Sequence, residues 1–446
     1  MNRTGMQTAP VPFLVALRFW LKLGFINFGG PAGQIAIMHR ELVERRGWID
    51  EERFLHALNF CMLLPGPEAQ QLAIYIGWLQ HGVRGGMAAG VLFVLPGFLL
   101  VTAISILYAF FHSWMPFQGV LFGMKAAVLA IVLEAVLRVA KRALKHRLAW
   151  SVAGSAFVAI FAFAIPFPIV VLAAALVGFL FYRRFSNLPA TPIANTAPVR
   201  ESTSSSANSV AIVRALKVLL ICGALWLIPI LLVYLTPGAD HVLSRESFFF
   251  SKTAVVTFGG AYAVLAYVAQ EAVGRFNWLS ADDMLQGLAL AETTPGPLIL
   301  VLTFVGYLAA FKNPGSLDPL WAGVLGAALT TWVTFVPCFL WIFLGAPYVE
   351  KLRRQPELSA ALAAVTAAVV GVILNLSIWF ALHTLFHEVE TWRGFALSLP
   401  IPHLASIDFP ALVLASLAAI ALIRFKAPMI PVLAVCAAAG LAIKIV

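Results

Sequence analysis

Residues 62–74 read MLLPGPEAQQLAI, and residues 292–304 read ETTPGPLILVLTF. Both stretches are largely apolar, and both carry the same tripeptide, Pro65-Gly66-Pro67 and Pro295-Gly296-Pro297. Proline has no N–H and its ring clashes with the preceding turn, while glycine is flexible, so an α-helix cannot continue through the motif. The offset of 230 recurs upstream. Phe28-Gly29-Gly30 matches Phe258-Gly259-Gly260, Trp48 matches Trp278, and Lys22, Glu41 and Arg45 match Lys252, Glu271 and Arg275. The chain is a duplication whose repeated elements are helix breakers inside apolar sequence. In a membrane protein that combination points to a transport site.

Composition supports a membrane protein. Of 446 residues, 61% are hydrophobic and 11% charged, with a mean hydropathy of +0.92, where soluble domains carry about 25% charged residues. Several apolar stretches reach the ~20 residues that cross a bilayer. The N-terminal MNRTGMQTAPVPF lacks the pattern of a cleavable signal, so the first apolar segment is expected to be retained. The net charge of +10 does not imply nucleic acid. Its basic residues cluster in loops (Arg138, Lys141, Arg142, Lys145, Arg147; Arg183, Arg184; Lys351, Arg353, Arg354), as the positive-inside rule produces. Cys61, Cys222, Cys338 and Cys436 are scattered through apolar segments and read as buried thiols.

Segment 185–212 is rich in Ser, Thr, Asn, Pro and Ala and reads as a flexible cytoplasmic linker. Before it, apolar segments fall near 12–30, 54–79, 86–112, 117–138, 148–164 and 167–182. After it they fall near 213–236, 250–270, 284–310, 320–345, 358–384, 408–424 and 428–446, about 13 candidate spans in all. A second offset, 241, aligns Pro96-Gly97-Phe98 with Pro337-Cys338-Phe339 and Ala126-Ala127-Val128 with Ala367-Ala368-Val369. The expected organisation is an N-terminal repeat (1–184), the linker (185–212), a linking span with an external loop (213–249) and a C-terminal repeat (250–446).

Charge sets the orientation. With loop 138–147 inside, the 148–182 hairpin returns the chain inside at Arg183-Arg184, and segment 213–236 crosses outward. The second repeat then starts outside, and loop 351–354 falls inside as its charge requires. Two repeats of opposite orientation are a signature of secondary transporters.

Freed backbone groups at bilayer depth are tolerated only inside protein or beside a polar cavity. The half-helices that start after Pro67 and Pro297 present unpaired N–H groups and a partial positive charge, which suit an anion. Gly29, Gly30, Gly259 and Gly260 can expose backbone in the same way; kinks or tight helix packing are the plain alternative. Polar groups surround the breakers: Glu68, Gln70 and Gln71 follow the first Pro-Gly-Pro, while Glu292, Thr293 and Thr294 precede the second. A carboxylate within a span is costly and is a functional candidate, here for substrate or proton coupling at Glu68 and Glu292, although Glu68 also suits a helix cap. Lys22 and Lys252 suit snorkelling to headgroups or attraction of an anion. Lys125 lies inside an apolar run with no partner nearby in sequence, which suits an anion pathway. Residues 39–53 read as an exposed, internally paired segment, and Trp48 and Trp278 as interface anchors. His383 and His387 lack a complete metal-ligand set, so no metal or cofactor is expected. No nucleotide-binding motif appears.

LKLGFINFGGPAGQIA, RRGWIDEERF and LLPGPEAQQLAIYIGW together resemble the chromate ion transporter (CHR) family. TFGGAYAVLAYVAQEAV, WLSADDMLQGLALAETTPGPL and FVGYL resemble its second half, so the likeness covers all but the linker. It resembles the long-chain, two-domain form. The resemblance implies efflux of chromate, chromate resistance, kinship with sulfate handling and a secondary antiport mechanism. The family's motif positions map onto Phe28, Gly29, Gly30, Pro31, Trp48, Pro65, Gly66, Pro67 and Glu68. In the second half they map onto Phe258, Gly259, Gly260, Trp278, Pro295, Gly296 and Pro297, with Ala261 standing where the first half has Pro31.

The sequence therefore leads to an all-α polytopic protein of the bacterial inner membrane, a transporter and not an enzyme, with two inverted repeats and broken helices. Its expected substrate site comprises Gly29, Gly30, Pro65, Gly66, Pro67, Glu68, Gln71, Lys125, Gly259, Gly260, Thr293, Thr294, Pro295, Gly296 and Pro297. Chromate is the first substrate, with sulfate or another tetrahedral oxyanion, or an oxyanion channel, as alternatives. The lipid bilayer is its surrounding partner, a homodimer is left open, and no nucleic acid is expected.

Overall fold

Uncharged runs of Leu, Val, Ala and Phe in lipid satisfy their backbone hydrogen bonds as α-helix. The computed structural model describes residues 11–28, 30–185, 205–236, 238–258, 260–346, 356–394 and 397–445, and these are helical apart from one β-hairpin and short connections. Gly29, Gly259, residues 186–204 of the linker and the basic residues Lys351, Arg353 and Arg354 lie outside the described residues.

The first half contains α1 (Phe13–Ile26), α2 (Gly30–His39), α3 (Glu51–Cys61), α4 (Glu68–Phe111), α5 (Met115–Ala143), α6 (Arg147–Phe161), α7 (Phe167–Leu180) and α8 (Tyr182–Phe185). Then come α9 (Ser205–Leu235), α10 (Val242–Val256), α11 (Ala261–Ala269), α12 (Ala281–Thr293), α13 (Val301–Lys312), α14 (Pro319–Gly345) and α15 (Pro356–Leu385). Antiparallel β1 (Val389–Gly394) and β2 (Leu397–Pro402) precede α16 (Phe409–Ala419) and α17 (Met429–Ile445). Among the described residues, five stretches are long and apolar enough to cross a membrane: Glu68–Phe111, Met115–Ala143, Ile212–Leu235, Pro319–Gly345 and Glu357–Leu385. Only 11% of the most apolar part of Ile212–Leu235 is buried, so this linking helix lies at the rim with Leu219, Leu220 and Leu231 outward. Part of the expected linker, from Ser205, is already helix α9. The molecule is an all-α multi-pass membrane protein.

Four of the expected spans are broken into antiparallel pairs. After the break that follows α1, α2 runs on as a π-helical turn, Arg40–Arg45, and comes back beside α1. Trp48 packs on Phe19 with ring centroids 5.0 Å apart, and the Arg46 guanidinium lies 4.8 Å from the Phe19 ring. The second half repeats this at the same offset: α11 continues into the π-helical turn Gln270–Arg275, and Phe249 meets Trp278 at 5.7 Å and Phe276 at 5.5 Å. The Pro-Gly-Pro arms also pair. Phe60 of α3 meets Tyr75 of α4 at 5.5 Å, and Gly287 of α12 lies directly against the Phe304 ring of α13. Segments 12–30, 54–79, 250–270 and 284–310 therefore each hold a turn where the sequence suggested a crossing. Apolarity alone cannot separate a helix that spans from two half-helices that fold back.

The interface-anchor reading fails for Trp278, which is 4% exposed and stacked on Phe276 with centroids 4.4 Å apart. The paired reading of 39–53 holds: Arg45 bonds Glu41 at 2.6 Å, and its counterpart Arg275 bonds Glu271 at 3.1 Å.

α4 bends sharply at His81 and Gly82, and its two arms pack where Gly77 faces Gly85. The long second arm and α14 are counterparts at the offset of 241. Near its middle, each passes the Pro-Gly-Pro turn of the other half: Gly97 lies against Gly296, and Cys338 against Gly66. The far end of α4 meets the base of the second-half hairpins, where Tyr108 donates to Asp283 at 2.8 Å and Phe110 packs on Phe311 at 5.8 Å. The far end of α14 meets the first-half hairpins, with Phe343 against Gly86 and Gly345 against Phe60.

Candidate functional site

The turns that interrupt the helices converge at the centre. Gly30, Gly66, Gly260 and Gly296 hold φ of 66°, 115°, 99° and 114°, a region that side chains disfavour. The turns are stitched together across the two halves. Gly66 N donates to Thr257 O at 2.9 Å, and Gly296 N donates to Asn27 O at 2.8 Å. These bonds are reciprocal at the offset of 230, the exchange that a local two-fold axis imposes.

A cavity lies at that meeting point, lined by Pro31, Gln34, Pro67, Glu68, Ala69, Ala261, Pro297, Leu298 and Ile299. Pro31 and Ala261, Pro67 and Pro297, Glu68 and Leu298, and Ala69 and Ile299 are all counterparts at 230, so the cavity sits on the axis. Its volume of about 10 Å³ holds about one water. A tetrahedral oxyanion needs the turns to part.

Two helix N-termini enter this cavity. In α4 the first intrahelical bond of that turn is Gln71 N to Pro67 O, so the amides of Glu68, Ala69 and Gln70 precede it. In the stretch Leu298–Lys312 the first is Leu300 N to Pro297 O, leaving the amides of Leu298 and Ile299 ahead of it. An anion at one helix start gains about 0.3–1 kcal/mol at the surface and up to ~2 kcal/mol when partly buried. Two facing starts suit a doubly charged anion.

The polar side chains break the symmetry. Glu68 Oε1 stands 4.0 Å from where a Cβ on Gly260 would lie. Gln34 Nε2 donates to Gly296 O at 2.6 Å, and Gln71 Nε2 donates to Pro65 O at 2.6 Å. Their counterparts are Leu298, Val264 and Val301. Asn27 is wholly buried with both side-chain polar atoms unpartnered among the described residues, as is Oε1 of Gln70 and of Gln71. Such atoms are costly unless something binds them. Asn27 and Gln34 were not singled out from sequence; the signal available was polarity beside the Gly-Gly breaker.

Glu292 sits apart from the axial cavity. It is 3% exposed and accepts a 2.7 Å hydrogen bond from the Tyr262 hydroxyl. Both residues line a second cavity of about 440 Å³, with Glu134, Arg138, Lys141 and Lys426 among its other walls. Thr293 and Thr294 turn back on their own helix, donating to Leu290 O at 2.7 Å and Ala291 O at 2.9 Å. They close α12 instead of facing the axial cavity. Lys125, expected to be alone, has Asp282 Oδ1 at 2.5 Å, and the neighbouring Asp283 accepts from Lys312 at 2.7 Å. That partner is 157 residues distant, beyond any local pairing rule. Lys22 and Lys252 are exposed, as snorkelling requires.

The chain is 33% identical over 359 residues to the chromate transport protein of Pseudomonas aeruginosa, covering 79% of this chain and 77% of that protein. It is 29% identical over 380 residues to the chromate transport protein of Cupriavidus metallidurans, covering 84% and 85%. A probable chromate transport protein of Synechococcus elongatus is 27% identical over 383 residues, covering 84% and 86%. No solved structure matches the chain. The family described as Chromate transporter matches residues 14–179 and 246–441. This chain belongs to the chromate transporter family, whose members are membrane transporters and not enzymes.

Proposed function

We propose that this protein is a secondary transporter of the bacterial inner membrane that exports chromate. The dianion binds in the axial cavity against the helix starts after Pro67 and Pro297. The observation that carries this reading is the placement of both sets of free amides around one cavity lined by paired counterparts of the two halves. Asn27, Gln34, Gln70 and Gln71 supply further polar contacts, and Glu68 and Glu292 serve proton coupling. Gly29 and Gly259 are further members of the proposed site.

The two halves act as inverted repeats. Support comes from α4 and α14, each of which runs from the base of its own half's hairpins to the base of the other's. Replacing two spans per repeat by two fold-back pairs leaves the parity of crossings unchanged, so this reading keeps the charge-based orientation. Rocking of one half against the other then opens the small axial cavity to alternate sides. An inside-negative potential favours dianion export by about 2.3 kcal/mol per charge per 100 mV.

Labelled chromate uptake into inverted vesicles tests the reading, with sulfate and molybdate as competitors and with pH and potential imposed separately. Saturable uptake, accelerated by unlabelled anion on the far side, is expected. Non-saturating flux without that acceleration would favour a channel. Preference for sulfate over chromate would reassign the cargo.

A further inference from the structure

The 440 Å³ cavity is not explained by the axial site. Its charged walls come from separate parts of the fold: Glu134, Arg138 and Lys141 from α5, Glu292 from α12, and Lys426 from the turn before α17. Lys426 sits at φ 51°, two residues after the end of the π-helical turn Ile420–Arg424. That strained position fixes the bend that carries the lysine into the cavity wall. Arg138 is held by Glu134, with Nε to Oε1 at 3.0 Å, and Glu292 accepts from Tyr262. Lys141 and Lys426 have no ion pair or hydrogen bond among the described residues. The cavity therefore carries two uncommitted positive charges.

Position gives these charges a use. Lys141 belongs to the basic loop 138–147, and Lys426 belongs, with Arg424, to a second basic turn whose Ile423, Lys426 and Ala427 line the same cavity, so both mark one end of the helical bundle. By the positive-inside rule that end is cytoplasmic. The inner end of the cavity reaches Tyr262, whose neighbour Ala261 lines the axial cavity. A single hydrogen bond, Tyr262 to Glu292, stands at that inner end.

We infer that this cavity is a capture site for tetrahedral divalent oxyanions on the cytoplasmic face, with Lys141 and Lys426 as its charge-bearing residues and the Tyr262–Glu292 contact as the partition toward the axial site. The inference rests on the transport reading above. Its physical basis is focusing: Arg138, Lys141 and Lys426 outnumber Glu134 and Glu292 on a concave, partly apolar wall, and such a net positive charge raises the local concentration of an anion, an effect that weakens with salt. The lysines also have the chemistry to hold an anionic lipid headgroup, so lipid composition is part of the test.

The experiment is chromate exchange in proteoliposomes of zwitterionic lipid, with and without added anionic lipid, measured with substrate on either face. For the Lys141→Gln/Lys426→Gln protein, half-saturation from the cytoplasmic face rises about five- to tenfold and loses much of its salt dependence. Half-saturation from the opposite face and the maximal rate stay near those of the unmodified protein. Lys141→Arg/Lys426→Arg restores the unmodified behaviour. An unchanged half-saturation, an equal rise from both faces, or a rise seen only with anionic lipid overturns the inference. If the unmodified protein moves no chromate, the transport reading fails instead. Equilibrium chromate binding then decides the capture site: weakening in the glutamine pair supports it, and unchanged binding overturns it.

Discussion

Glu68 and Gln34 are the polar side chains that line the axial cavity, and both come from the first half. Gln34 holds the opposite turn in place through Gly296 O, whereas Glu68 bears an acid group beside the helix starts. An ionised Glu68 and a dianion repel each other in so small a space. Chromate therefore binds best where Glu68 carries its proton, and affinity falls as pH rises over the range where the substrate stays a dianion. Glu68→Gln mimics the neutral acid. Equilibrium chromate binding should persist and lose that pH dependence, while exchange slows by about tenfold or more because the proton can no longer leave. Wild-type exchange in Glu68→Gln protein present at normal levels would remove Glu68 from the mechanism. Glu68 was legible in the sequence because a carboxylate after Pro-Gly-Pro in apolar surroundings is conspicuous. Tyr262 was not, because an aromatic residue in an apolar run gives no hint of a carboxylate 30 residues on. Lys125 misled for the converse reason, since its apolar neighbours in sequence concealed Asp282.

At the scale of elements, the Pro-Gly-Pro turn is a small, densely constrained object. Gly66 combines a φ of 115° with Cys338 Sγ 2.9 Å from where a Cβ would lie. At Gly296 a Cβ would stand 3.2 Å from the Gly97 Cα, so backbone meets backbone. Gly66→Ala should cost about 1–3 kcal/mol from strain, and Gly296→Ala at least as much because, although Leu300 Cδ1 at 2.8 Å can move aside, the Gly97 backbone cannot give way as a side chain does. Thermal unfolding in detergent checks this, with lowered midpoints for both variants and the order Gly66→Ala above Gly296→Ala expected. The turns themselves were legible, since no helix passes through Pro-Gly-Pro. What lies on either side of them was not. A run of about 20 apolar residues with a break in the middle reads the same whether the second part continues forward or returns. The direction is set by long-range contacts such as Trp48 on Phe19 and Gly287 on Phe304.

At the scale of the whole molecule, the orientation of the halves makes a further prediction. Arg45 and Arg275 are counterparts on the two π-helical turns, and both are exposed. If the repeats are inverted, Arg45→Cys and Arg275→Cys should react with a membrane-impermeant thiol reagent from opposite faces. The four native cysteines are buried, which keeps their background low. Labelling of both from the same face would refute inversion. The duplication and the charge pattern that suggest this orientation were both readable from sequence. The axis was not, because it emerges only when Pro31 is seen beside Ala261 and Pro67 beside Pro297 around one cavity.

The two crossed amide bonds, Gly66 to Thr257 and Gly296 to Asn27, have an evolutionary consequence. Each Pro-Gly-Pro turn has its glycine amide bonded to the other half, so the two halves are interlocked at their turns and are not two modules in series. Tethering also frees the halves to specialise. The first half has an acid lining the axial cavity, Glu68, where the second has Leu298, and the second half has an acid lining the basic cavity, Glu292, where the first has Met62. Two identical subunits could not carry an acid at only one of two equivalent positions.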